Sequence, residues 1–176
     1  VVTKTGQIDT KFRTFPMTVI AGKGVGGEPG PLVVEVREND AKLRLDFRSV
    51  YFNARLSMEH GRLVNEIMHL KRSWPPEDWT TPTSADDSAD VVVADAMGGV
   101  GPFGIPLALR GAVVLCNDLN PDSYFWMKHN MVLNGVERRM SCSNEDGAKF
   151  LRRLGESNTA VDHIIMNLPA AAPTFL

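Results

Sequence analysis

A glycine-rich segment directly after an apolar run is the part of this chain best suited to chemistry. Residues 95–103 read Asp-Ala-Met-Gly-Gly-Val-Gly-Pro-Phe and follow Val-Val-Val-Ala at 91–94. A second apolar run, at 112–116, ends in Asn117-Asp118. Glycines let the backbone approach a ligand closely, and an acid at the tip of the next strand can accept hydrogen bonds from ribose hydroxyls. The layout therefore predicts a nucleoside-cofactor site.

Pro102 favours one class of cofactor. The spacing Gly99-x-Gly101-x-x-Gly104 matches the dinucleotide fingerprint, in which amides at a helix start hold a pyrophosphate. Pro102 is predicted at the first helical position, where it has no N–H to offer a phosphate oxygen. Asp95, at the end of its strand, suits an ammonium group better than an anion. The loop therefore predicts S-adenosylmethionine rather than NAD, and a strand-to-helix turn without a ligand is the alternative.

Strand and helix patterns alternate after residue 90. Strands are predicted at 91–94, 112–116, 140–142 and 161–166, and helices at 102–110, 121–134 and 148–154. Such alternation is typical of an α/β fold with a parallel, doubly wound sheet. We predict that residues 91–176 hold the first four strands of a class I (Rossmann-like) S-adenosylmethionine-dependent methyltransferase domain. Because only four strands fit before Leu176, we expect this domain to be C-terminally incomplete.

Residues 1–73 are predicted to form a small α+β domain, rich in strands and ending in a helix. Strands are expected at 12–21, 32–37 and 43–51, where β-branched and aromatic residues alternate with polar ones. A helix is expected over 56–70, with an apolar stripe at Leu56, Leu63, Ile67 and Leu70. Residues 74–90 hold three prolines and many hydroxyl side chains, which indicates a linker or an insertion.

Composition narrows the possible partners. The net charge is −2, but residues 1–74 hold 12 Lys/Arg and 8 Asp/Glu, whereas residues 75–176 hold 7 and 13. The basic half could face phosphates, or its charges could simply be solvated. The two cysteines lack metal-ligand spacing, and no apolar stretch approaches the length of a membrane span. We expect no metal, no membrane partner and a monomer in the cytoplasm, with the nucleus and mitochondrion left open.

Four segments of the chain, taken in order and spacing, resemble the eukaryotic and archaeal tRNA (guanine-37-N1)-methyltransferases. They are Phe-Arg-Thr-Phe-Pro-Met at 12–17, the block from Val50 to Leu63, the glycine loop with Asn-Asp-Leu-Asn-Pro at 117–121, and Met-Asn-Leu-Pro at 166–169. The resemblance covers essentially the whole chain. Its most specific part is Tyr-x-Asn-x-Arg-Leu-x-x-Glu-His at 51–60, because unrelated methyltransferases share the glycine loop. A sister family that transfers an aminocarboxypropyl group in wybutosine synthesis has a similar core without this block.

The resemblance implies methyl transfer from S-adenosylmethionine to N1 of guanosine 37 in the tRNA anticodon loop. This reaction removes a weakly acidic ring proton, so a carboxylate base and a stabiliser of negative charge at O6 are both useful. Glu59 is the implied base, and an ion pair between Glu59 and Arg55 is its alternative. Arg13 is the implied stabiliser, or else a surface arginine on a strand. Asn167 is expected beside the reacting methyl group.

Further side chains are expected to contact the ligands. By resemblance, His60, Asp118, Leu119, Asp146, Gly147 and Asn167 contact the cofactor, with Asp118 on the ribose and Asp146 on the adenine amino group. Asp95, Gly99 and Gly101 join them from the glycine loop, and Leu168 and Pro169 from the motif at the end of the fourth strand. The tRNA substrate is expected to contact Tyr51, Asn53 and Arg55.

Two departures from the family pattern keep other functions open. The family usually has Phe-Ala where this chain has Met97-Gly98, and it commonly has Ser and Glu where this chain has Ala171 and Thr174. The alternatives are an aminocarboxypropyl transferase, a methyltransferase for small molecules, and a tRNA-binding homologue with weakened catalysis.

Overall fold

The computed structural model describes residues 1–7, 11–22, 26, 32–73 and 90–167. Almost all of the predicted linker at 74–90 lies outside these residues, as do Leu168, Pro169, Ala171 and Thr174. None of the helices in the described segments combines the length and the apolar character that a membrane crossing requires.

Two antiparallel strand pairs open the chain. Strand β1 (Val2–Lys4) pairs with β2 (Met17–Val19), and β3 (Val33–Glu38) pairs with β4 (Ala41–Asp46). Asn39 and Asp40 join β3 to β4 with φ values of 48° and 68°, as a tight hairpin turn requires.

The predicted strands at 12–21 and 43–51 are wrong in extent. Residues 12–16 are not a strand because Arg13 has a φ of 60°, outside the extended region. Strand β4 stops at Asp46, whose carboxylate accepts hydrogen bonds from the N–H groups of Leu32 and Arg48 and so closes a turn. The chain beyond β4 is therefore directed toward helix α1.

Helix α1 (Ser57–Ser73) follows a short 3-10 turn at Ala54–Leu56. The Asn53 side chain caps that turn by accepting a hydrogen bond from the Arg55 N–H at 3.2 Å. The predicted helix is confirmed, and Val64 and Ile67 are the buried residues of its apolar face. Leu70, at the end of the predicted stripe, stays 40 % exposed.

The second half of the chain forms a four-stranded parallel sheet. Its strands are β5 (Val92–Asp95), β6 (Val113–Asn117), β7 (Met140–Ser143) and β8 (His163–Ile165), in the spatial order β7-β6-β5-β8. Helices α2 (Gly104–Leu109), α3 (Pro121–Leu133) and α4 (Gly147–Glu156) connect them. This arrangement confirms the predicted α/β fold. The carboxyl ends of parallel strands meet at one edge, which is where open α/β sheets bind ligands.

Local residues set the start of α3, whereas the start of α2 differs from the prediction. Asn120 caps α3 by accepting from the Asp122 N–H, and Pro121 is the first residue of that helix. The prediction that Pro102 is the first helical residue is wrong, because α2 begins at Gly104. A Cβ atom on Gly104 would lie 2.5 Å from the Cys116 Sγ, so this glycine is what lets α2 pack closely on the sheet.

Asn130 of α3 and Asn134, the residue that follows this helix, hold the free edge of β4. The Asn130 side chain accepts from the Arg44 N–H at 2.7 Å and donates to the carbonyl oxygens of Arg44 and Val100. One helical turn later, the Asn134 side chain makes the same pair of bonds to Lys42. The two amides act as a short extra strand, so backbone groups that would stay unpaired at a buried edge are satisfied.

The apolar core is continuous between the two halves of the chain. Leu43 from the hairpin and Val64 from α1 belong to the same buried cluster as Val93, Ile105 and Val114. The hairpin and α1 therefore pack directly on the sheet. The boundary that we predict at residues 74–90 stays a prediction.

Replacing Asn130 should weaken the docking of the hairpin on helix α3. We expect Asn130→Ala to lower the free energy of unfolding by roughly 2–4 kcal/mol, because three backbone groups around a fully buried side chain lose their partner. Asn134→Ala is the matched control, and its exposed bonds predict a loss of about 1 kcal/mol or less. Urea denaturation of both variants measures the difference, and equal losses would contradict the role of Asn130.

Candidate functional site

A turn between β5 and α2, which we call the glycine turn (residues 96–103), lies at the carboxyl edge of the sheet. The Gly98 N–H donates to the Asn117 carbonyl at 2.7 Å, and the Gly101 N–H donates to the Gly98 carbonyl at 2.9 Å. Gly99 and Gly101 have φ values of 56° and 98°, a region that side-chain-bearing residues rarely adopt. A Cβ atom on Gly101 would also lie 2.8 Å from the Ile105 side chain. The turn therefore requires glycine at these positions.

Asp118 fixes the glycine turn from the neighbouring strand. One carboxylate oxygen accepts from the Gly99 N–H at 2.8 Å, and the other accepts from the Asn120 N–H at 2.8 Å. Burial raises the pKa of this carboxyl, and the two amides partly oppose that rise. The predicted contact of Asp118 with a ribose stays a prediction, and the structure adds a second role in holding the turn. Leu119 follows it at the same edge.

The structural role of Asn117 is not predicted by the sequence pattern. Its side chain is fully buried and donates to the carbonyl oxygens of Ala96 and Glu145 at 3.1 and 2.9 Å. Its oxygen accepts from the Glu145 N–H and the Ser143 hydroxyl. One amide thus joins the ends of β5, β6 and β7. A polar side chain directly after an apolar strand indicates a hydrogen-bonded role, but the residue type alone does not identify the partners of Asn117.

Asp146 caps helix α4. Its carboxylate accepts from the N–H groups of Ala148 and Lys149 at 3.0 and 3.2 Å, and the buried Gly147 is the first residue of the helix. The predicted contacts of Asp146 and Gly147 with a cofactor stay predictions. Both residues lie at the carboxyl edge of the sheet, after β7, as those contacts require.

Asp95 lies beneath the glycine turn. The side chain is completely buried, and one oxygen accepts a long bond of 3.4 Å from the Met97 N–H. The other oxygen has no hydrogen-bond partner among the described residues. A Cβ atom on Gly98 would lie 3.3 Å from that oxygen, so the turn covers the carboxylate. Burial raises the pKa of Asp95 to about 7, and the nearby Asp118 carboxylate adds to the rise.

A small pocket, which we call the turn pocket, brings together residues that are far apart in the sequence. Its volume is about 80 Å³. The predicted site residues that line it are Arg13, Tyr51, Asn53, His60, Gly99 and Asn167. The remaining wall comes from Phe52, from Leu56 and from other residues of the glycine turn. The structure therefore brings these side chains together around one pocket, whereas their roles stay predictions.

Arg13 is stacked on Tyr51 in the turn pocket. The guanidinium carbon lies 4.7 Å from the centre of the Tyr51 ring, a distance typical of cation–π contacts. The positive φ of Arg13 turns its side chain away from the path that a continuous strand would follow. The guanidinium is thus held at the pocket by a strained backbone and an aromatic face.

A larger cavity, the helix groove, lies between α1 and β8. Its volume is about 400 Å³, and it shares Leu56, His60, Phe103 and Asn167 with the turn pocket. Glu59 lines this groove but not the turn pocket. Because the two cavities share these residues, Glu59 lies close to the turn pocket.

The ion pair between Glu59 and Arg55, the alternative to a role of Glu59 as base, is wrong. Both Glu59 oxygens accept from Arg62, at 2.7 and 2.8 Å, and Arg62 also binds Glu66 at 2.5 Å. The hydrogen bond from Arg62 holds the pKa of Glu59 below its ordinary value. Arg55 belongs to the 3-10 turn before the helix, where its side chain is exposed.

His60 has a partner that the sequence analysis missed. Its Nδ1 lies 2.9 Å from an oxygen of Glu38, and both side chains are 5 % exposed. Glu38 occupies an inward position of β3, where alternation with Val36 predicts an apolar residue. Because a buried carboxylate needs a hydrogen-bonding partner, Glu38 at this position indicates that such a partner is nearby.

The described residues contain no group of three or more His, Cys, Asp or Glu side chains arranged to hold a metal ion. Cys116 and Cys142 are free thiols on adjacent strands, and burial raises the pKa of both. The expected lack of a metal stays a prediction.

The Asp95 carboxyl should make stability depend on pH. Its pKa is about 7 in the folded protein against 3.8 ordinarily, so the folded state retains a proton that the unfolded chain releases. This lowers the free energy of unfolding as pH rises from about 4 to 7, and the loss persists above that window. We expect Asp95→Asn to gain about 4 kcal/mol over the parent at pH 8 and little at pH 4, because the folded and ordinary pKa values differ by about 3 and each pKa unit is worth roughly 1.4 kcal/mol.

Chemical denaturation at several pH values measures this gain. The exposed Asp122→Asn is the control, and its difference from the parent should not vary in the same way. A gain for Asp95→Asn that is constant with pH would contradict a buried proton on Asp95.

Comparison with known proteins identifies the family. The chain is 42 % identical over all of its 176 residues to a tRNA (guanine(37)-N(1))-methyltransferase of Phytophthora infestans, of which it covers 36 %. It is 40 % identical to the protein of that name from Danio rerio, of which it covers 33 %. The chain thus spans about a third of the length of these relatives.

A solved structure and a family model agree with these relatives. The crystal structure of Trm5b from Pyrococcus abyssi superimposes on this chain with a TM-score of 0.65 and 28 % sequence identity. The match covers 98 % of this chain and 42 % of the Trm5b chain. The model of the TRM5/TYW2 methyltransferase domain matches residues 80–176. With its parallel sheet and glycine turn, this chain belongs to the TRM5/TYW2 methyltransferase domain family.

Proposed function

We propose that this chain is part of an S-adenosylmethionine-dependent enzyme that methylates N1 of guanosine 37 in tRNA. The observation that carries the proposal is the turn pocket, where Arg13, Tyr51 and Asn167 meet the glycine turn. The names of the Phytophthora and Danio relatives support the same activity.

The residues of the glycine turn fit S-adenosylmethionine. A Cβ atom on Gly99 would meet no atom within 4 Å, so a ligand can approach the backbone there. Asp95 lies beneath the turn and lines neither cavity, so an ammonium group would reach its unpartnered oxygen only when the turn opens. Asp118 would hold the ribose and Asp146 the adenine, with Asn167 beside the methyl group. When bound, the cofactor supplies an electrophilic sulfonium methyl group.

Glu59 is the side chain that would take the N1 proton. The Glu59 carboxylate is ionised at neutral pH, but the hydrogen bond from Arg62 lowers its pKa and so weakens it as a base. Release of Arg62 would therefore raise the basicity of Glu59. Both of its oxygens are bound to Arg62, so one bond must be released when guanine approaches. The pair is exposed to solvent, which screens the attraction between its charges, so this release costs little.

Arg13 would stabilise the negative charge that develops on guanine O6. Stacking on Tyr51 occupies the face of the guanidinium and leaves its N–H donors free to point in the plane of the group. Such donors, fixed before the reaction, stabilise developing charge without reorganising. The guanine must leave its stack to reach the pocket.

The outer face of the hairpin is the surface that we propose for the tRNA backbone. Arg37, Lys42 and Arg44 alternate with inward residues on β3 and β4, and all three are exposed. Arg62 is already bound to two carboxylates, so it contributes less positive charge than its type suggests. We propose a monomer that acts in the cytoplasm.

The matched family model names two kinds of protein, which leaves transfer of an aminocarboxypropyl group as the second candidate. Incubating the full-length protein with labelled S-adenosylmethionine and tRNA transcripts carrying G or A at position 37 tests both. The proposal predicts a product heavier by one methyl group, with G37 only. Addition of the larger group would establish the second candidate, and tRNA binding without transfer would indicate a weakened homologue.

Asp118→Ala should weaken binding of the cofactor. We expect a loss of about 1–3 kcal/mol, because the ribose hydroxyls and the Gly99 N–H both lose an acceptor. Calorimetry with S-adenosylmethionine measures it, with Asp122→Ala on the exposed first turn of α3 as control. Tight NAD binding that neither substitution changes would reject the cofactor assignment.

Glu59→Gln should slow methyl transfer itself. In the full-length enzyme we expect the single-turnover rate to fall roughly 10²–10⁴-fold, the usual weight of a general base, while cofactor affinity stays nearly unchanged. Raising the pH should restore part of the rate, because prior ionisation of guanine replaces the missing base. Glu66→Gln is the matched control, since Glu66 also binds Arg62 and is similarly exposed. Equal rates for the two variants would remove Glu59 from the mechanism.

A further inference from the structure

A buried carboxylate–imidazole pair joins the hairpin to the site. The Glu38 oxygen and the His60 Nδ1 are 2.9 Å apart, and both side chains are almost completely buried. The His60 ring packs edge-on against Phe103, with the ring centres 4.7 Å apart. The same ring lines both the turn pocket and the helix groove. One side of the imidazole is therefore held by Glu38, and another faces the cavities.

The tip of the hairpin fixes Glu38 relative to helix α1. Glu38 is the last residue of β3, and the next residue, Asn39, donates from its side chain to the Ser57 carbonyl at 3.0 Å. Gly61 lies against the Asn39 side chain, and a Cβ atom on Gly61 would overlap it. This close contact leaves Glu38 little freedom to move away from His60.

We infer that Glu38 is a positioning residue that sets which nitrogen of His60 carries the proton. An ionised carboxylate can only accept hydrogen bonds, so the Nδ1 that faces it must be protonated. The Nε2 atom is then the nitrogen available at the cavities, as an acceptor in the neutral ring. The predicted contact of His60 with the cofactor would be made by Nε2, and this part of the inference rests on the proposed function.

Loss of the carboxylate would change the chemistry that His60 presents. A free neutral imidazole prefers to carry its proton on Nε2, which would turn the acceptor at the cavity into a donor. Glu38→Gln keeps the size of the side chain and its ability to hydrogen-bond, but an amide can either donate or accept. The substitution thus removes the constraint on the proton while preserving the packing of the hairpin tip.

Nitrogen NMR of the full-length protein labelled with ¹⁵N-histidine tests the inference directly. The His60 signals are those that disappear in His60→Asn. In the parent protein we expect the neutral ring to be protonated at Nδ1, and in Glu38→Gln we expect the form protonated at Nε2 to be populated. A parent His60 with a bare Nδ1 would overturn the inference, and this measurement does not depend on whether any Glu38 variant folds or the enzyme is active.

Kinetics separate positioning from a purely structural role. We expect Glu38→Gln to raise the KM for S-adenosylmethionine about tenfold, the cost of one mispaired hydrogen bond, with kcat changed less. Glu137→Gln, an exposed carboxylate beyond the end of α3 and outside every surface assigned to a ligand, should change neither. A shifted proton with an unchanged KM would overturn the link between Glu38 and the cofactor. If the parent transfers no methyl group, the proposed function fails, and the NMR result still decides the role of Glu38.

Discussion

Asn130 holds the edge of β4 against helix α3, and the docking of the hairpin on the second half of the chain depends on this contact. Its amide satisfies two backbone groups of Arg44 and one of Val100, at the place where hairpin, helix and glycine turn meet. Because a buried edge cannot leave these groups unpaired, the hairpin can dock in one register only. That register places Tyr51 and helix α1 over the carboxyl edge of the sheet. A site assembled from both halves of the chain depends on it.

The glycine turn is rigid for a related reason. Asp118 binds the Gly99 amide, and Asn117 joins the ends of three strands through four hydrogen bonds. The glycines supply the conformation, and the neighbouring strand supplies the partners that hold it. A loop fixed in this way loses little conformational freedom when a ligand binds, which favours binding.

Two carboxylates at the site have opposite properties because of their surroundings. Asp95 is buried without a positive partner, so its pKa rises to about 7, whereas Glu59 is exposed beside Arg62, so its pKa falls. The first is suited to meeting a cationic ligand that would restore its charge. The second is suited to staying ionised until a proton must be accepted. Asp and Glu carry the same carboxylate group, so burial and neighbouring charges decide the role of each one.

The sequence by itself determined the alternating strands and helices, the capping of α3 at Asn120 and Pro121, and the glycine turn, because these depend on neighbouring residues. It also indicated which distant segments carry a site. It could not give the partners of Glu59 and His60, which proved to be Arg62 and Glu38. Glu38 is 22 residues from His60, and only the docking of the hairpin tip on α1 brings them into contact. Pairing between side chains on different elements depends on tertiary packing, and local propensity and spacing carry no record of it.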